Sequence, residues 1–388
     1  MDAEQRTIMH LDLDAFFCSV EVLNNQELRG KPLVIGGSSD RGVVASASYE
    51  ARKYGVRAAM PMRLARQLCP EAQVLSGDME KYTYYSDLVT EIIAERAPLY
   101  EKASIDEFYL DLTGMDKYIG NLKWSSELKT RIVQETGLSL TYALSVNKLV
   151  SKMASNEVKP QGVEWVAAGR VKGYLEPLNV QKIPGVGSQT YQQLASLGVR
   201  TIRVLRQIPL KLLEKEFGGG LGRTLHEKSF GRDPQPVVPY RAQKSLSHEH
   251  TLHEDTTDLS VLMTLLTGLT EQLGFQLRSD KKVTSCIAVK IRYSDFNTVS
   301  RQRKISYTSH DPALLAVARE LLLELYDRRQ RIRLVGVRFS HLAYGDHQIN
   351  LFSDAGKIID LHQAMDTVRA KYGRRAVIRG ASYQDRCS

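Results

Sequence analysis

The sequence predicts a multidomain α+β protein, and three features support that prediction. Its 388 residues exceed the usual size of a single domain. Apolar stretches with strand-like alternation occur in both halves of the chain, and regions with helical spacing lie between them. A proline-rich stretch, Asp233 to Pro239, is typical of a stiff, extended linker between such regions.

The first half predicts a layer of strands and helices with a small insertion. Residues 1–15 and 78–155 form this layer, and they show strand-like alternation at Ile8 to Leu13 and at Ile105 to Leu110. Residues 16–77 are mostly helical in pattern and contain Gly36-Gly37 and Met60-Pro61. The two strand-like segments therefore belong to one region although the insertion separates them.

The second half predicts helices, then the linker, then a second α+β region. Residues 156–230 have a helical pattern, and the linker spans 231–243. Within 244–343, Ser285 to Tyr293 and Leu334 to His341 alternate like strands and enclose an amphipathic helix from Leu314 to Arg329. Residues 344–388 form a C-terminal tail.

Charge is distributed unevenly along the chain. The net charge is +9 and the isoelectric point is about 9.2. Residues 1–155 hold 18 Lys and Arg against 21 Asp and Glu, whereas residues 156–388 hold 35 against 23. This pattern suits a protein that binds cations with its first half and a polyanion with its second.

Cysteine spacing and hydropathy exclude several classes of protein. The four cysteines lie far apart with no Cys-x-x-Cys pair, which argues against zinc fingers and a disulfide framework: Cys18, Cys69, Cys286 and Cys387. No apolar run reaches membrane-spanning length, and the N-terminus does not have the pattern of a signal peptide. We therefore expect a cytoplasmic protein that does not bind membranes.

Two acidic segments predict a divalent-cation site. Asp12 follows apolar residues on the first predicted strand, and Asp106-Glu107 lies in a second apolar and aromatic segment. Mg²⁺ prefers oxygen ligands, and two such ions can activate an attacking oxygen and stabilise a leaving phosphate. We expect carboxylates from Asp12, Asp106 and Glu107, with the carbonyl of Leu13 as a fourth ligand.

An alternative interpretation is that these are solvated acids at strand ends, because isolated charged residues are mostly surface features. The apolar surroundings of both segments favour the site. Adjacent residues on a regular strand point to opposite faces, so Asp106 and Glu107 can share a site only if the backbone turns there.

A glycine hairpin marks the helical region. Ile183-Pro184-Gly185-Val186-Gly187 precedes a helix-like run from Thr190 to Leu197. Gly185 and Gly187 would let the backbone approach a phosphate, and the next helix N-terminus offers N–H groups to an anion. An ordinary turn between helices has the same pattern, but the basic surroundings favour binding to a nucleic-acid backbone.

Several motifs in order along the chain resemble those of Y-family DNA polymerases of the bacterial DNA polymerase IV type. They are Leu11 to Glu21 (LDLDAFFCSVE), Ala45 to Gly55 (ASASYEARKYG), Ser104 to Asp111 (SIDEFYLD), Ser145 to Lys148 (SVNK) and Lys159 to Gly162 (KPQG). Any one of these motifs alone would be weak, and together they are highly specific.

The resemblance implies a right-hand architecture. It implies a catalytic palm at 1–15 and 78–155, small fingers at 16–77 and a thumb with a helix-hairpin-helix at 156–230. Residues 244–343 would be a DNA-binding little finger. It also implies a monomer that binds primer–template DNA and deoxynucleoside triphosphates.

The resemblance also assigns residues to the nucleotide. Tyr49, Arg52 and Lys148 match positions that hold the incoming triphosphate, where Arg supplies a planar fork and Lys a mobile charge. Phe17 matches the steric gate, an aromatic ring that leaves no room for a 2′-hydroxyl. Arg52 could instead be a surface charge, and Tyr49 could be a core residue. At least one of Phe16 and Phe17 must lie in the core.

The resemblance implies a template-dependent polymerase of low fidelity that extends primers past damaged bases with two Mg²⁺ ions, or with Mn²⁺. A catalytically inactive DNA-binding scaffold is one alternative, although none of the three acids is lost. A nuclease that uses the same metals is another, but hydrolysis does not need Tyr49, Arg52 and Lys148.

The segment Gln348-Ile349-Asn350-Leu351-Phe352 resembles the bacterial motif that binds the replication sliding clamp. In that pattern Gln348 forms hydrogen bonds, and Leu351 and Phe352 fill an apolar pocket. Polar residues on both sides would keep the segment exposed. The alternative is a short edge strand that packs against a C-terminal helix near Leu361 to Tyr372.

Overall fold

The computed structural model describes residues 6–37, 39–117, 120–327, 329–345, 355–373, 376–377 and 380. The chain divides into two compact units, Met1–Arg241 and Ala242–Ser388. In the part of the chain that the structure describes, no helix combines the length and the apolar character needed to cross a membrane.

The first unit contains strands and helices in alternation. The strands are β1 Ile8–Leu13, β2 Leu33–Gly36, β3 Val44–Ala47, β4 Gln73–Leu75, β5 Tyr100–Lys102, β6 Glu107–Asp111, β7 Leu140–Ser145 and β8 Val163–Trp165. The helices are α1 Phe16–Asn24, α2 Tyr49–Lys53, α3 Met62–Leu68, α4 Met79–Arg96, α5 Asn121–Thr136, α6 Lys148–Glu157, α7 Val171–Leu175, α8 Ser188–Ser196, α9 Ile202–Gln207 and α10 Leu210–Ser229.

A five-stranded sheet with the order β5-β6-β1-β7-β8 forms the centre of the first unit. β1 is buried along its whole length between two antiparallel neighbours, β6 and β7. Its alternate residues Met9, Leu11 and Leu13 pack in the main core with residues of α4 and α5. The sheet extends past residue 155, because β8 pairs with β7 in parallel.

A three-stranded sheet, β3-β2-β4, lies in the predicted insertion. Its core is small and joins the sheet to the two short helices α2 and α3. Ser48 caps α2 by accepting a hydrogen bond from the backbone N–H of Ala51. This cap sets the start of the helix that carries Tyr49 and Arg52.

Helices α7 to α10 pack around a third core. Gly218 interrupts α10 with a φ of 78° and a ψ of 156°, so the segment consists of two helices across a kink. Gly222 allows close packing of these two helices, because a Cβ there would lie 2.5 Å from the carbonyl oxygen of Leu213.

The predicted linker packs against the first unit up to Arg241. Val237 is buried beside Ile8 and Tyr109. The N–H of Val238 donates to Glu101 Oε2 at 2.9 Å, and Arg241 Nη2 lies 3.0 Å from Glu101 Oε1. Contacts with the sheet therefore hold the extended segment in place.

Within the residues that the structure describes, the second unit has a four-stranded antiparallel sheet with the order β11-β10-β12-β9 and three helices. The elements are β9 Ser245–Thr256, α11 Leu259–Ser279, β10 Lys282–Tyr293, β11 Thr298–Thr308, α12 Asp311–Leu325, β12 Ile332–Tyr344 and α13 Ala355–Tyr372. Residues of α11 and α12 form a core with the sheet. The two predicted strands lie within β10 and β12, and the predicted helix overlaps α12.

A buried arginine joins the three helices of this unit. Arg278 on α11 donates from Nη1 to Asp311 Oδ1 at 2.7 Å and from Nε to Asp366 Oδ2 at 2.6 Å. Asp311 is fully buried at the start of α12, and Asp366 lies on α13. The guanidinium therefore fixes the C-terminal helix to the two core helices.

Candidate active site

Antiparallel pairing of β1 and β6 brings the two predicted acidic segments together. Asp12 near the end of β1 is the register partner of Glu107, the first residue of β6. Asp106 lies in the bend before β6, and its carbonyl accepts from the N–H of Leu13 at 3.0 Å. The three predicted carboxylates therefore belong to one end of the sheet.

A tight turn before β6 supplies the change in backbone direction that Asp106 and Glu107 need in order to share a site. The hydroxyl of Ser104 accepts from the N–H of Glu107 at 3.0 Å and donates to Asp106 Oδ1 at 2.6 Å. The N–H of Ala103 donates to the carbonyl of Glu107 at 2.9 Å, which closes the turn. Because Asp106 precedes the regular strand, strand alternation does not force the two acids apart.

Two lysines contact the carboxylates. Lys159 Nζ donates to Asp12 Oδ2 at 2.6 Å. Lys152 Nζ on α6 donates to both oxygens of Glu107, at 2.6 and 2.7 Å. Neither lysine has a predicted role, although Lys159 opens the KPQG motif that contributes to the family resemblance.

Burial and neighbouring charges perturb both carboxylates. Burial raises the pKa of Asp12 to about 7, with Lys159 opposing the rise and the charges of Glu107 and Asp106 adding to it. Burial also acts to raise the pKa of Glu107, but the hydrogen bonds and charge of Lys152 outweigh it and lower that pKa. The charge of Asp106 is thus close enough to Asp12 to affect its ionisation.

These residues fit a divalent cation. Asp12 is 4% exposed, and a buried carboxylate is costly unless a cation compensates it. Ammonium groups supply that compensation here, each at 2.6 Å. Carboxylate oxygens are also the ligands that Mg²⁺ and Mn²⁺ prefer.

His10 is a further polar residue at this end of the sheet. It shares one face of β1 with Asp12, because residues two apart on a strand point the same way. Its Nε2 lies 3.9 Å from Glu107 Oε1, and burial lowers the pKa of the imidazole to about 3. The alternation of His10, Asp12 and Asp14 was a signal that the sequence analysis did not use.

Asp14 connects three segments. Its Oδ2 accepts from the N–H of Gln161 at 2.9 Å, and its Oδ1 accepts from the hydroxyls of Thr141 and Tyr49 at 2.8 and 3.3 Å. Gln161 lies two residues after Lys159. One buried carboxylate therefore positions both the loop that carries Lys159 and the predicted triphosphate residue Tyr49.

Arg52 lies over the ring of Tyr49, with its guanidinium carbon 4.6 Å from the ring centroid. Its Nε donates to the carbonyl of Ala47 at 3.0 Å. Burial raises the pKa of Tyr49 beyond its usual range, so its hydroxyl stays protonated and can donate. The two predicted phosphate contacts are therefore adjacent.

Phe17 and Phe16 have different surroundings. Phe16 is 2% exposed in the main core, whereas Phe17 is partly exposed at its margin. The Phe17 ring stacks on Tyr82 at 4.3 Å between centroids and 14° between planes. Tyr82 is fixed in turn by donating to Glu21 at 2.7 Å.

Lys148 has a different environment from the one we expected. Its Nζ donates to Glu101 Oε2 at 2.6 Å, and both side chains are less than 10% exposed. Its ammonium also lies 4.6 Å from the ring centroid of Tyr109. Burial separates this ammonium from solvent, whereas the Lys159 side chain is 23% exposed and contacts Asp12 directly.

Three sequence profiles match the chain. The impB/mucB/samB family matches residues 11–156, and its C-terminal domain matches residues 243–351. The thumb domain of DNA polymerase iota matches residues 181–233. The chain belongs to the Y-family of DNA polymerases. It is therefore a DNA-directed DNA polymerase, and the predicted α+β architecture is confirmed.

Curated relatives and solved structures agree with this membership. DNA polymerase IV of Dehalococcoides mccartyi strain CBDB1 is 34% identical over 383 residues, which covers 98% of both chains. DNA polymerase IV of Halorhodospira halophila is 36% identical over 354 residues, or 90% of this chain and 98% of that protein. A Y-family DNA polymerase chimera is 28% identical with a TM-score of 0.79, covering 87% of this chain and all of that one. DinB from Sulfolobus solfataricus is 27% identical with a TM-score of 0.60, covering 88% of this chain and all of that one.

The glycine hairpin of this Y-family chain leads directly into a helix. Gly185 has a φ of 94°, which favours glycine, and α8 begins directly after Gly187 without a side-chain cap. Lys228 Nζ donates to the carbonyl of Pro184 at 2.7 Å and brings a positive charge to the hairpin. The clamp-motif residues Gln348, Leu351 and Phe352 lie outside the described residues.

Proposed function

We propose that this Y-family polymerase extends primers with low fidelity, past damaged template bases, by a two-metal nucleotidyl transfer. The observation that carries the proposal is the pairing of Asp12 with Glu107, with Asp106 directly before Glu107 and the Lys159 ammonium on Asp12. In the reaction the primer 3′-oxygen attacks the α-phosphate, and pyrophosphate leaves.

The carboxylates of Asp12, Asp106 and Glu107, with the carbonyl of Leu13, would hold two Mg²⁺ ions; Mn²⁺ is a second candidate. When bound, such ions activate the attacking oxygen and stabilise charge on the leaving group. The Ser104 turn orients the two adjacent acids toward this one site, and Lys152 keeps Glu107 ionised.

Arg52, Tyr49 and Lys159 would bind the triphosphate. Arg52 offers a planar fork for phosphate oxygens, and the hydroxyl of Tyr49 can donate to another by exchanging its hydrogen bond to Asp14 for one to phosphate. The Asp14 contacts hold the loop of Lys159 near both. We assign the third contact to Lys159 and a structural role to Lys148, because the Lys148 ammonium is buried and already paired with Glu101.

Phe17 would lie under the sugar as the steric gate. Its stacking on Tyr82 supports this role, because a ring fixed on one side cannot turn aside for a 2′-hydroxyl. Phe16 is buried in the core and would not reach a nucleotide without unfolding the start of α1.

The remaining regions would bind the primer–template and would test its base-pair geometry only weakly. The hairpin at Gly185 and Gly187 offers backbone N–H groups to a DNA phosphate. The insertion at 16–77 would form the fingers, and its three short strands give a small surface for testing base-pair geometry. This supports tolerance of damaged templates. The buried free thiols of Cys18, Cys69 and Cys286 are consistent with a cytoplasmic location.

Replacing Glu107 tests this function. Glu107→Ala should abolish primer extension and leave primer–template binding nearly intact, because the basic regions bind DNA independently of the metals. Glu95→Ala is a matched control that removes an exposed carboxylate on α4. Extension at a near wild-type rate by Glu107→Ala would contradict the metal-site assignment.

Primer extension by the wild-type protein also distinguishes the proposed polymerase from an inactive scaffold and from a nuclease. An inactive scaffold would bind primer–template without extending it in the wild type. A nuclease would shorten labelled duplex in a metal-dependent manner and would ignore added deoxynucleotides. Only the proposed polymerase lengthens the primer in template order, and a lesion placed in the template then measures bypass.

We also propose that Gln348 to Phe352 binds the replication sliding clamp, although the segment lies outside the described residues. Burial of Leu351 and Phe352 could contribute roughly 3–6 kcal/mol before ordering costs. Replacing both with Ala should remove clamp-stimulated extension and leave distributive extension unchanged. Leu323→Ala, which shortens an exposed leucine of α12, is the control. An equal loss of both activities, or a lower melting temperature, would favour packing of the segment against the C-terminal helix instead.

A further inference from the structure

The two faces of the four-stranded sheet in the second unit carry different side chains. Val289 and Val337 belong to the core that α11 and α12 form with the sheet. Because side chains alternate along a strand, Lys290 and Arg338 project from the opposite face. A cavity of about 590 Å³ opens on that face, and small polar residues line it together with these two: Ser245, Ser247, Ser300 and Gln302.

Basic residues line this open face. Arg292 shares it with Lys290 on β10, and Arg338 is exposed on β12. Glu249 of β9 brings a negative charge into their midst. A positively charged sheet face suits a polyanion such as the DNA backbone, and a carboxylate there opposes its binding.

Glu249, Gly336 and Lys290 form one row across three strands. Gly336 is the register partner of Glu249 on one side and of Lys290 on the other. Because neighbouring strands lie about 4.7–4.9 Å apart, the backbones of the outer two residues are roughly 10 Å apart. Their side chains still meet, since Lys290 Nζ donates to Glu249 Oε1. The ion pair therefore lies along the sheet and over the glycine.

Gly336 leaves the space for this ion pair. A Cβ at that position would lie 2.8 Å from Glu249 Cγ, so a larger residue would displace the Glu249 side chain. Both members of the pair are 38% exposed, and a ligand on the open face can reach them. The carboxylate thus neutralises the Lys290 ammonium on the surface where a DNA phosphate would meet it.

We propose that Glu249 competes with DNA phosphate for Lys290 and thereby weakens the binding of primer–template to this face. A phosphate that binds Lys290 must displace the carboxylate and remain near it, and the two anions repel each other. The inference rests on the proposed binding of primer–template by residues 244–343. It adds a residue that limits the affinity for DNA, so the polymerase leaves its template more readily.

The salt dependence of DNA binding tests this role. Fluorescence anisotropy of a labelled primer–template, measured from 50 to 200 mM salt without metal or nucleotide, gives the affinity and the number of phosphate contacts. Glu249→Gln keeps the length of the side chain and removes its charge, which frees Lys290 for a phosphate. The slope of log affinity against log salt should steepen by about 0.9, and the affinity at 100 mM salt should rise roughly fivefold to tenfold.

Two comparisons distinguish competition for Lys290 from a general change in charge. Glu320→Gln removes a carboxylate from an ion pair with Arg303, on the helix α12 that packs against the other face of the sheet. Its affinity and slope should equal those of wild type. In protein that already carries Lys290→Met, Glu249→Gln should raise the affinity roughly twofold or less and leave the slope unchanged, because only screened repulsion is relieved.

The outcomes separate this inference from the proposed function. An unchanged slope in Glu249→Gln, an equal gain with and without Lys290, or weaker DNA binding would overturn the competition and leave the polymerase mechanism standing. A steeper slope in a protein that does not extend primers would support the inference and contradict the proposed function. Glu249→Thr, which places a residue favoured in strands at this position, gives the same test if Glu249→Gln fails to fold.

Discussion

Lys148 and Lys159 provide a direct test of how the triphosphate is bound. Sequence resemblance assigns the triphosphate to Lys148, and we propose Lys159 in its place. Methionine replaces either side chain with one of similar length and no charge. We therefore compare Lys148→Met, Lys159→Met and the exposed control Lys172→Met.

Lys148→Met should lower the melting temperature and have little effect on the KM for nucleotide. Its side chain is 7% exposed and that of Glu101 is 8% exposed, so the change leaves a buried carboxylate without its main partner. Removing one member of a buried pair costs about 3–5 kcal/mol. Glu101 retains Val238 and Arg241 as donors, which favours the lower value. A loss of about 3 kcal/mol in a unit of this size lowers its melting temperature by about 6–12 °C.

Lys159→Met should have little effect on the melting temperature and should raise the KM for nucleotide. Its side chain is 23% exposed and contacts a carboxylate whose raised pKa lets it take up a proton instead. The melting temperature should stay within about 3 °C of wild type. Loss of a charged hydrogen bond worth about 1.5–3 kcal/mol should raise the KM for nucleotide roughly tenfold to a hundredfold.

Thermal unfolding and single-nucleotide insertion measure the two effects separately. Lys172→Met should match wild type in both. A Lys148→Met protein with an unchanged melting temperature and a raised nucleotide KM would refute the structural role of Lys148. It would also return the triphosphate contact to that residue.

Three further predictions concern the gate, the metal site and the second unit. Phe17→Ala should admit ribonucleotides with a modest loss of deoxynucleotide use, measured as the ratio of kcat/KM for dCTP and rCTP, and an unchanged ratio would place the gate elsewhere. Because burial raises the pKa of Asp12 to about 7, a divalent cation must displace a proton below that pH. Metal affinity should therefore rise about tenfold per pH unit up to pH 7 and then level off, and a flat calorimetric profile from pH 6 to 8 would contradict this. Arg278→Met should destabilise the second unit by about 3 kcal/mol because it removes the cation shared by Asp311 and Asp366, and an unchanged thermal transition would contradict it.

The sequence predicted the carboxylate site because strand alternation and apolar context are local signals. Asp12 and Glu107 were placed in strand-like segments from their neighbours alone, whereas the antiparallel register that pairs them is seen only in the structure. The turn that lets Asp106 share the site depends on the hydroxyl of Ser104. A single serine side chain has no periodicity, so the sequence could state the requirement for a turn but could not identify what makes it.

The lysines were harder to assign because burial is a tertiary property. Lys148 and Lys152 lie one helical turn apart on α6, yet one pairs with Glu101 and the other with Glu107. No local sequence pattern distinguishes these two lysines. Similarly, β9 and β11 of the second unit were not predicted, because they are largely exposed strands with polar residues and lack the apolar alternation of β10 and β12.

Charge compensation links the metal site to the nucleotide site. Asp12, Asp106 and Glu107 contribute three negative charges when ionised, and Lys152 and Lys159 contribute two positive charges beside them. A divalent cation on Asp12 supplies the same compensation as the Lys159 ammonium and repels it. Lys159 then needs another anion within reach.

We propose that the triphosphate is that anion and that Asp14 determines where Lys159 would meet it. By accepting from Gln161 and Tyr49, Asp14 holds the Lys159 loop beside the helix that carries Arg52. A lysine released from Asp12 therefore remains next to the other two phosphate contacts. Metal and nucleotide should consequently favour each other's binding, and by linkage the effect must be equal in both directions.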